Sequence, residues 1–289
     1  LPGIFNLISK VIRAAHHVKK ITFEVHGIDK KTAPDVHALL TNSPLAVGIA
    51  LALMKLESFE NPHFLSEILF ANKDVLTELV LRRCRYSQAQ FKALCKQLVV
   101  LEHLKAIDIH ASLFSNGPAI QTLIEGLSSK PLLKRLSLQF FHFLEEDSAF
   151  LAETIQKFQN LEWLDLTHDQ LGFLGCSFLC GIVTTLPRLA TLMLGHNDIG
   201  TLGSTMLFKK MKTNTSIKEL YLKRNNIGPG ALKHIVSMIT NNKTLKILDL
   251  SYNMLTQACC SRIVDALAHN YTIIKIILNG NKEPMKFDQ

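Results

Sequence analysis

What this sequence lacks narrows it first. Its longest apolar run, Leu45 to Met54, falls short of the roughly 20 residues that span a bilayer, so no transmembrane helix is expected. The N-terminus has no basic, then apolar, then small-residue order, so no signal peptide is expected. The six cysteines, Cys84, Cys95, Cys176, Cys180, Cys259 and Cys260, are scattered rather than spaced as a disulfide framework. That predicts reduced, buried thiols and a cytoplasmic setting. Cys176 and Cys180 lie four apart but have no partner pair, so core packing is expected and no metal. There is no glycine-rich phosphate loop and no nucleophile elbow. No cofactor is expected, and the chain is expected not to be an enzyme. There is a single tryptophan.

What is present is a repeat. LEWLDLTHD at Leu161, LATLMLGHN at Leu189, IKELYLKRN at Ile217, LKILDLSYN at Leu245 and IIKIILNGN at Ile273 start 28 residues apart. Within each unit the L-x-L core, such as Leu248 and Leu250, has period two, which buries one face of a short strand. Residue nine is Asp169, Asn197, Asn225, Asn253 and Asn281. A short amide there can bond backbone groups left unpaired in a tight bend, and stacked copies form a ladder. Gly172, Gly200 and Gly228 follow where the turn wants a permissive backbone. The tails then change to helical period, with Ala231, Leu232, Ile235, Val236 and Ile239 on one face and Cys260, Ile263, Val264 and Leu267 on the next. One strand and one helix cannot bury these faces alone, whereas stacked copies can. Strands stack about 4.8 Å apart and helices roughly 8–10 Å. The stack should therefore curve with its strands on the concave side.

The same template runs backwards with decreasing fidelity. Units start at Leu133, Leu104 and Leu76, then Leu51 and Val18, and residue nine becomes Phe141, Ser112, Cys84, Phe59 and His26. The reading is one leucine-rich-repeat domain over 1–289: a capping helix in 1–17, irregular repeats in 18–160 and regular repeats in 161–289. Ten parallel strands are expected. No helix follows the last strand before Gln289, so further sequence is expected beyond it. Asn214, Asn242 and Asn270 each open a glycosylation sequon. They too lie 28 apart, so a repeat position explains all three.

These units resemble the ribonuclease-inhibitor subtype of leucine-rich repeat. The resemblance implies an α/β horseshoe with parallel strands on the concave face and helices on the convex one. It also implies a function in binding proteins along the inner strands and adjoining loops. The degenerate early repeats, the phenylalanine and lysine usage and the missing secretion signal look like the leucine-rich effectors that Legionella delivers into host cells. That likeness implies a host protein as partner. Ran GTPase activators share the subtype but carry a strongly acidic tail, and this chain ends EPMKFDQ.

Residues three, five, seven and eight of each unit should face out along the strands. On that face Lys and Arg number eight and Asp and Glu seven, although the whole chain is +8. A nucleic-acid protein concentrates positive charge on its binding surface, so no nucleic acid is expected. Arginine and large aromatics dominate protein-binding hot spots. The candidate contacts are therefore Arg82, Arg83, Arg135, Phe140, Trp163, Asp165, His168, Tyr221, Lys223, Arg224, Asp249 and Tyr252. For Arg82, Arg83 and Arg85 a solvated cluster paired with Glu57 and Glu78 is the plainer reading. Asp108, His110, Ser137, Asp165 and His168 could form a Ser-His-Asp set on paper, but an open sheet face stays wet and offers no oxyanion loop. The alternative to a free-standing binding module is a ligand-sensing or scaffold segment of a larger receptor-like protein.

Overall fold

The computed structural model describes residues 21–26, 31–41, 46–52, 61, 63–111 and 117–281. The expected capping helix in 1–17 lies outside them, as do Glu57, Phe59 and Ser112. The chain divides into two compact units, Leu1–Phe141 and His142–Gln289.

The first unit runs β1 (Ile21–His26), α1 (Ala33–Thr41), β2 (Ala46–Ala52), α2 (Phe64–Ala71), β3 (Glu78–Cys84), α3 (Gln88–Val100), β4 (Ala106–Ala111), α4 (Gly117–Leu127) and β5 (Arg135–Gln139). Its strands pair in parallel and in chain order. The second unit runs α5 (Glu145–Ile155), β6 (Trp163–Asp165), α6 (Gly172–Leu179), α7 (Ile182–Thr185), β7 (Thr191–Met193), α8 (Gly200–Met211), β8 (Glu219–Tyr221), a 3-10 turn (Pro229–Ala231), α9 (Leu232–Asn241), β9 (Ile247–Asp249), α10 (Gln257–Leu267) and β10 (Lys275–Ile277). Its strands β6 to β10 also pair in parallel and in order. Within each unit every strand returns to its neighbour through a helix, and this is the architecture of a leucine-rich-repeat solenoid.

The leucine template builds the core. Residues one, four and six of the first four regular units (Leu161, Leu164 and Leu166; Leu189, Leu192 and Leu194; Ile217, Leu220 and Leu222; Leu245, Leu248 and Leu250) are all buried, whereas Ile273, Ile276 and Leu278 of the fifth are only half-buried. Each buried one contributes about 1.5–3 kcal/mol by leaving water. The ladder forms as well. The Asn197, Asn225 and Asn253 Oδ1 atoms accept the amides of Asp169 (2.8 Å), Asn197 (3.1 Å) and Asn225 (2.9 Å), one repeat back. Their Nδ2 groups donate to the carbonyls of Leu166, Leu194 (2.7 Å) and Leu222 (2.9 Å). In the first unit, Cys84 occupies the same place, and its thiol meets the Arg82 carbonyl two residues back at 3.6 Å. Phe141 fills that place with carbon, buried at 6.2 Å from Phe91.

A second ladder joins each helix end to the next strand. Asn242 and Asn270 are buried, and Nδ2 of each reaches a carbonyl 31 residues back, Met211 (2.7 Å) and Ile239 (2.6 Å). Asn214 does the same to Val183. The three sequon asparagines are thus structural members of the repeat. Lys130 holds the equivalent place in the first unit and reaches the Val99 carbonyl, also 31 back, at 3.2 Å. It is buried, and burial pushes its ammonium down to about 8, against the opposing pull of Glu102.

Four expectations need correction. Strand β2 pairs Ile49 with Leu79 and Leu51 with Leu81, so its repeat begins at Ala46 rather than Leu51. The stretch AVGIALALMKL has a small or apolar residue at nearly every place, so the template fits several starts. Strand β1 pairs Phe23 with Ile49 and Val25 with Leu51, two residues later than a start at Val18 requires. Ile21, Phe23 and Val25 alternate, and either start places two of them correctly. The buried face of α10 is Cys259, Ile263 and Ala266, while Val264 is 53% exposed. Finally, Gly172 and Gly200 are left-handed (φ 60° and 69°), but Gly228 has φ −96° because Pro229 opens a 3-10 turn after it. Glycine is needed there for space, since a Cβ would meet Thr201 Oγ1 at 2.9 Å.

Candidate functional site

The turn after each regular strand supplies a row of side chains. Residue eight was expected on the strand face, but the strands of the second unit stop at residue five. By residue eight the backbone is left-handed: φ is 67° at His168, 58° at His196, 52° at Arg224, 54° at Tyr252 and 73° at Gly280. Arg83 (54°) and Phe140 (64°) adopt the same turn in the first unit. The bend brings the residue-nine amide into the interior. A left-handed backbone costs a non-glycine residue about 1 kcal/mol. The ladder bonds that follow hold it there whatever the side chain, which is left facing the surface.

In the second unit these side chains contact one another. The His168 and His196 rings stack at 3.9 Å between centroids, 25° apart. The Lys223 ammonium and the Arg224 guanidinium lie 4.9 and 5.1 Å from the centre of the Tyr252 ring. That ring covers Gly280, where a Cβ would meet it at 2.6 Å. Arg224 and Tyr252 are exposed and the two histidines half-buried. Burial, then the neighbouring His168, Arg224 and Lys223, push the His196 imidazole down to about 4. Burial, then His142 and Arg224, lower that of His168. Both rings are therefore neutral at pH 7.

Beside this row lies the strand face. Trp163, Met193, Tyr221 and Ile247 are half-buried, so each still presents a surface. The Tyr221 hydroxyl donates to Glu219 Oε2 at 3.1 Å. Burial first, and then this carboxylate, raise its pKa. Asp165 and Asp249 were expected to face outward and do not; both are buried. Asp165 Oδ1 accepts from the amide (2.9 Å) and hydroxyl (2.5 Å) of Thr167, and Asp249 Oδ1 from the amide of Ser251 (2.8 Å). A short carboxylate can close a turn two residues on, and these two serve the turn rather than the surface.

The first unit carries a different group. Arg82 bonds Asp108 Oδ2 through Nε (2.9 Å) and an Nη (2.5 Å). His110 Nε2 lies 3.1 Å from the other carboxylate oxygen. Burial acts to raise the Asp108 pKa, but the His110 and Arg82 bonds outweigh it and the net shift is downward. Arg82 was expected to pair with Glu57 or Glu78. The register sets Val80 opposite Asp108, and that brings the residue-seven arginine to the next strand's residue five. Arg83 and Arg135 are exposed, and Phe140 is exposed at 6.2 Å from His110. Ser137 is buried, with its Oγ accepting from Gln139 Nε2 (3.1 Å), so no substrate reaches it.

Sequence reasoning left three members out of the candidate set, and Ile247, which shares residue three with Trp163, is one of them. His196 shares residue eight with His168, and Met193 shares residue five with Tyr221; none of the three belongs to the residue types that flag a hot spot. Among the described residues, no group of three or more His, Cys, Asp or Glu is placed to hold a metal ion, and no helix is long and apolar enough to cross a membrane.

No protein-family model matches the sequence, and no curated protein does. Solved structures do resemble it. The leucine-rich-repeat-containing protein LegL7 from Legionella pneumophila is 17% identical, with a TM-score of 0.52 over 97% of this chain and 90% of that one. A chain from the complex of Rad7 and Elc1 in yeast is 16% identical, with a TM-score of 0.56 over 97% of this chain and 76% of that one. At these identities the likeness is one of fold, and the fold is the leucine-rich-repeat solenoid.

Proposed function

We propose that this solenoid is a non-enzymatic protein-binding module whose partner docks on the strand face and turn row of its second unit. One observation carries the reading: Trp163, Met193, Tyr221 and Ile247 keep part of their surface open, beside an exposed Arg224 and Tyr252. Aromatic and arginine side chains bury large areas at low entropy cost and form the anchors of interfaces. The fold says little by itself about the partner. The yeast protein of like fold is found in a complex with a second protein, which supports a protein partner here. An effector acting on a host protein in the host cytoplasm is the finer form of this reading; it rests on the sequence resemblance, and the likeness to LegL7 adds only a shared fold.

The test is affinity purification from a eukaryotic lysate with the wild-type chain and a Trp163→Ala/Tyr221→Ala double variant. The wild type should retain a defined protein, and the variant should lose it while keeping its circular dichroism and melting temperature. Equal capture by both would overturn the assignment of the binding face.

A further inference from the structure

The charges on the strand face do not balance as a residue tally suggests. Between Trp163 and Gly280, the residues three, five, seven and eight include Lys223, Arg224 and Lys275 against Asp165, Glu219 and Asp249. Two of those three acids are buried and spend a carboxylate oxygen on their own turns. The third, Glu219, accepts the Tyr221 hydroxyl. Neither Lys223 nor Arg224 has a carboxylate partner among the described residues, and both rest against the Tyr252 ring. The surface thus has two adjoining strips. One carries Trp163, Met193, Tyr221 and Ile247, with Thr191 and the Tyr221-bonded Glu219 in the same register row as Ile247. The other is cationic and aromatic, with two stacked neutral imidazoles at one end and Lys223, Arg224 and Tyr252 at the other.

We infer that the partner presents a segment alternating acidic and apolar side chains, laid with its apolar residues on the strand strip and its carboxylates against Lys223, Arg224 and the stacked histidines. The guanidinium of Arg224 is exposed and offers a forked pair of donors, the geometry that a carboxylate accepts. The stacked imidazoles are neutral, and each can still donate one ring N–H to a carboxylate. A nucleic acid fits less well. It draws its affinity from many phosphate contacts, and here two cations border a strip of mostly apolar side chains that also holds the Glu219 carboxylate. This inference rests on the protein-binding reading and narrows it to one chemistry of partner.

The experiment uses the intact chain and three fluorescein-labelled probes: a short peptide alternating Glu and Leu, its Lys and Leu counterpart, and a single-stranded DNA oligonucleotide. Fluorescence anisotropy should show binding of the Glu/Leu peptide alone. Lys223→Glu/Arg224→Glu should weaken it on the order of tenfold or more, and about 0.5 M salt should do likewise. A control reversal on α8, Lys209→Glu/Lys210→Glu, should leave it unchanged. Tighter binding of the oligonucleotide or of the Lys/Leu peptide would overturn the inference, as would equal losses in both double variants. The lysate experiment separates the two claims. If Lys223→Glu/Arg224→Glu still captures the protein that Trp163→Ala/Tyr221→Ala loses, the acidic-segment inference fails and the binding face stands.

Discussion

Asn225 sits in the interior with nowhere else to send its bonds. Its Oδ1 accepts the amides of Asn197 (3.1 Å) and Ile199 (3.3 Å), and its Nδ2 donates to the carbonyls of Leu194 (2.7 Å) and Lys223 (3.3 Å). Asn225→Ala would strand four buried backbone groups, so a loss of about 3 kcal/mol is expected in urea unfolding. Lys130 presents the opposite case, a ladder place filled by the wrong residue. Its folded pKa of about 8 lies below the ordinary lysine value, so between those two values the unfolded chain binds more protons than the folded one. Stability must then rise with pH across that window, and the cost is fully present below pH 8. Lys130→Asn should offer the Val99 carbonyl an amide donor without burying a charge and stabilise the chain by about 2 kcal/mol at pH 7. The gap between variant and wild type should narrow as pH is raised toward 10. A gap constant with pH would remove the charge from the explanation.

Helix α3 shows how an element is set by its ends. Ser87 Oγ accepts the Gln90 amide (3.2 Å) and Gln90 Oε1 accepts the Ser87 amide (2.9 Å), a reciprocal cap that satisfies two otherwise orphan donors. Ser87→Ala should cost about 1 kcal/mol, read from the urea midpoint. The second ladder makes an element-scale prediction too. Because the Asn242 and Asn270 amides are buried and bonded, an oligosaccharyltransferase given the folded chain should leave both unmodified, and mass spectrometry of the treated protein would check it. Elements of this kind differ in how far the sequence disclosed them. The five regular strands were legible because leucines and asparagines recur at one fixed spacing. The starts of β1 and β2 were not, since their apolar residues fit more than one register and only pairing with β3 selects it. The inward turn of Asp165 and Asp249 was hidden for another reason. Alternation along a strand says which side a residue faces, whereas a carboxylate that closes a turn two residues on is drawn in by hydrogen bonding.

At the scale of the molecule, neighbouring repeats within each unit pack on one another through strands and helices, so stability there is a sum of short-range terms. Asn225→Ala should therefore speed amide exchange in β7 to β9 while Leu79 and Leu81 keep their protection. Uniform acceleration across all strands would contradict that nearest-neighbour picture. The left-handed residue that closes each regular strand has a further consequence, for substitution. Branching at Cβ is disfavoured in that conformation, so valine, isoleucine and threonine are barred from the places of His168, His196, Arg224 and Tyr252. Amides, imidazoles, long cations and flat rings remain admissible. The scaffold therefore acts as a filter on its own surface alphabet: selectivity can be rewritten there one letter at a time, within a vocabulary that the backbone has already chosen.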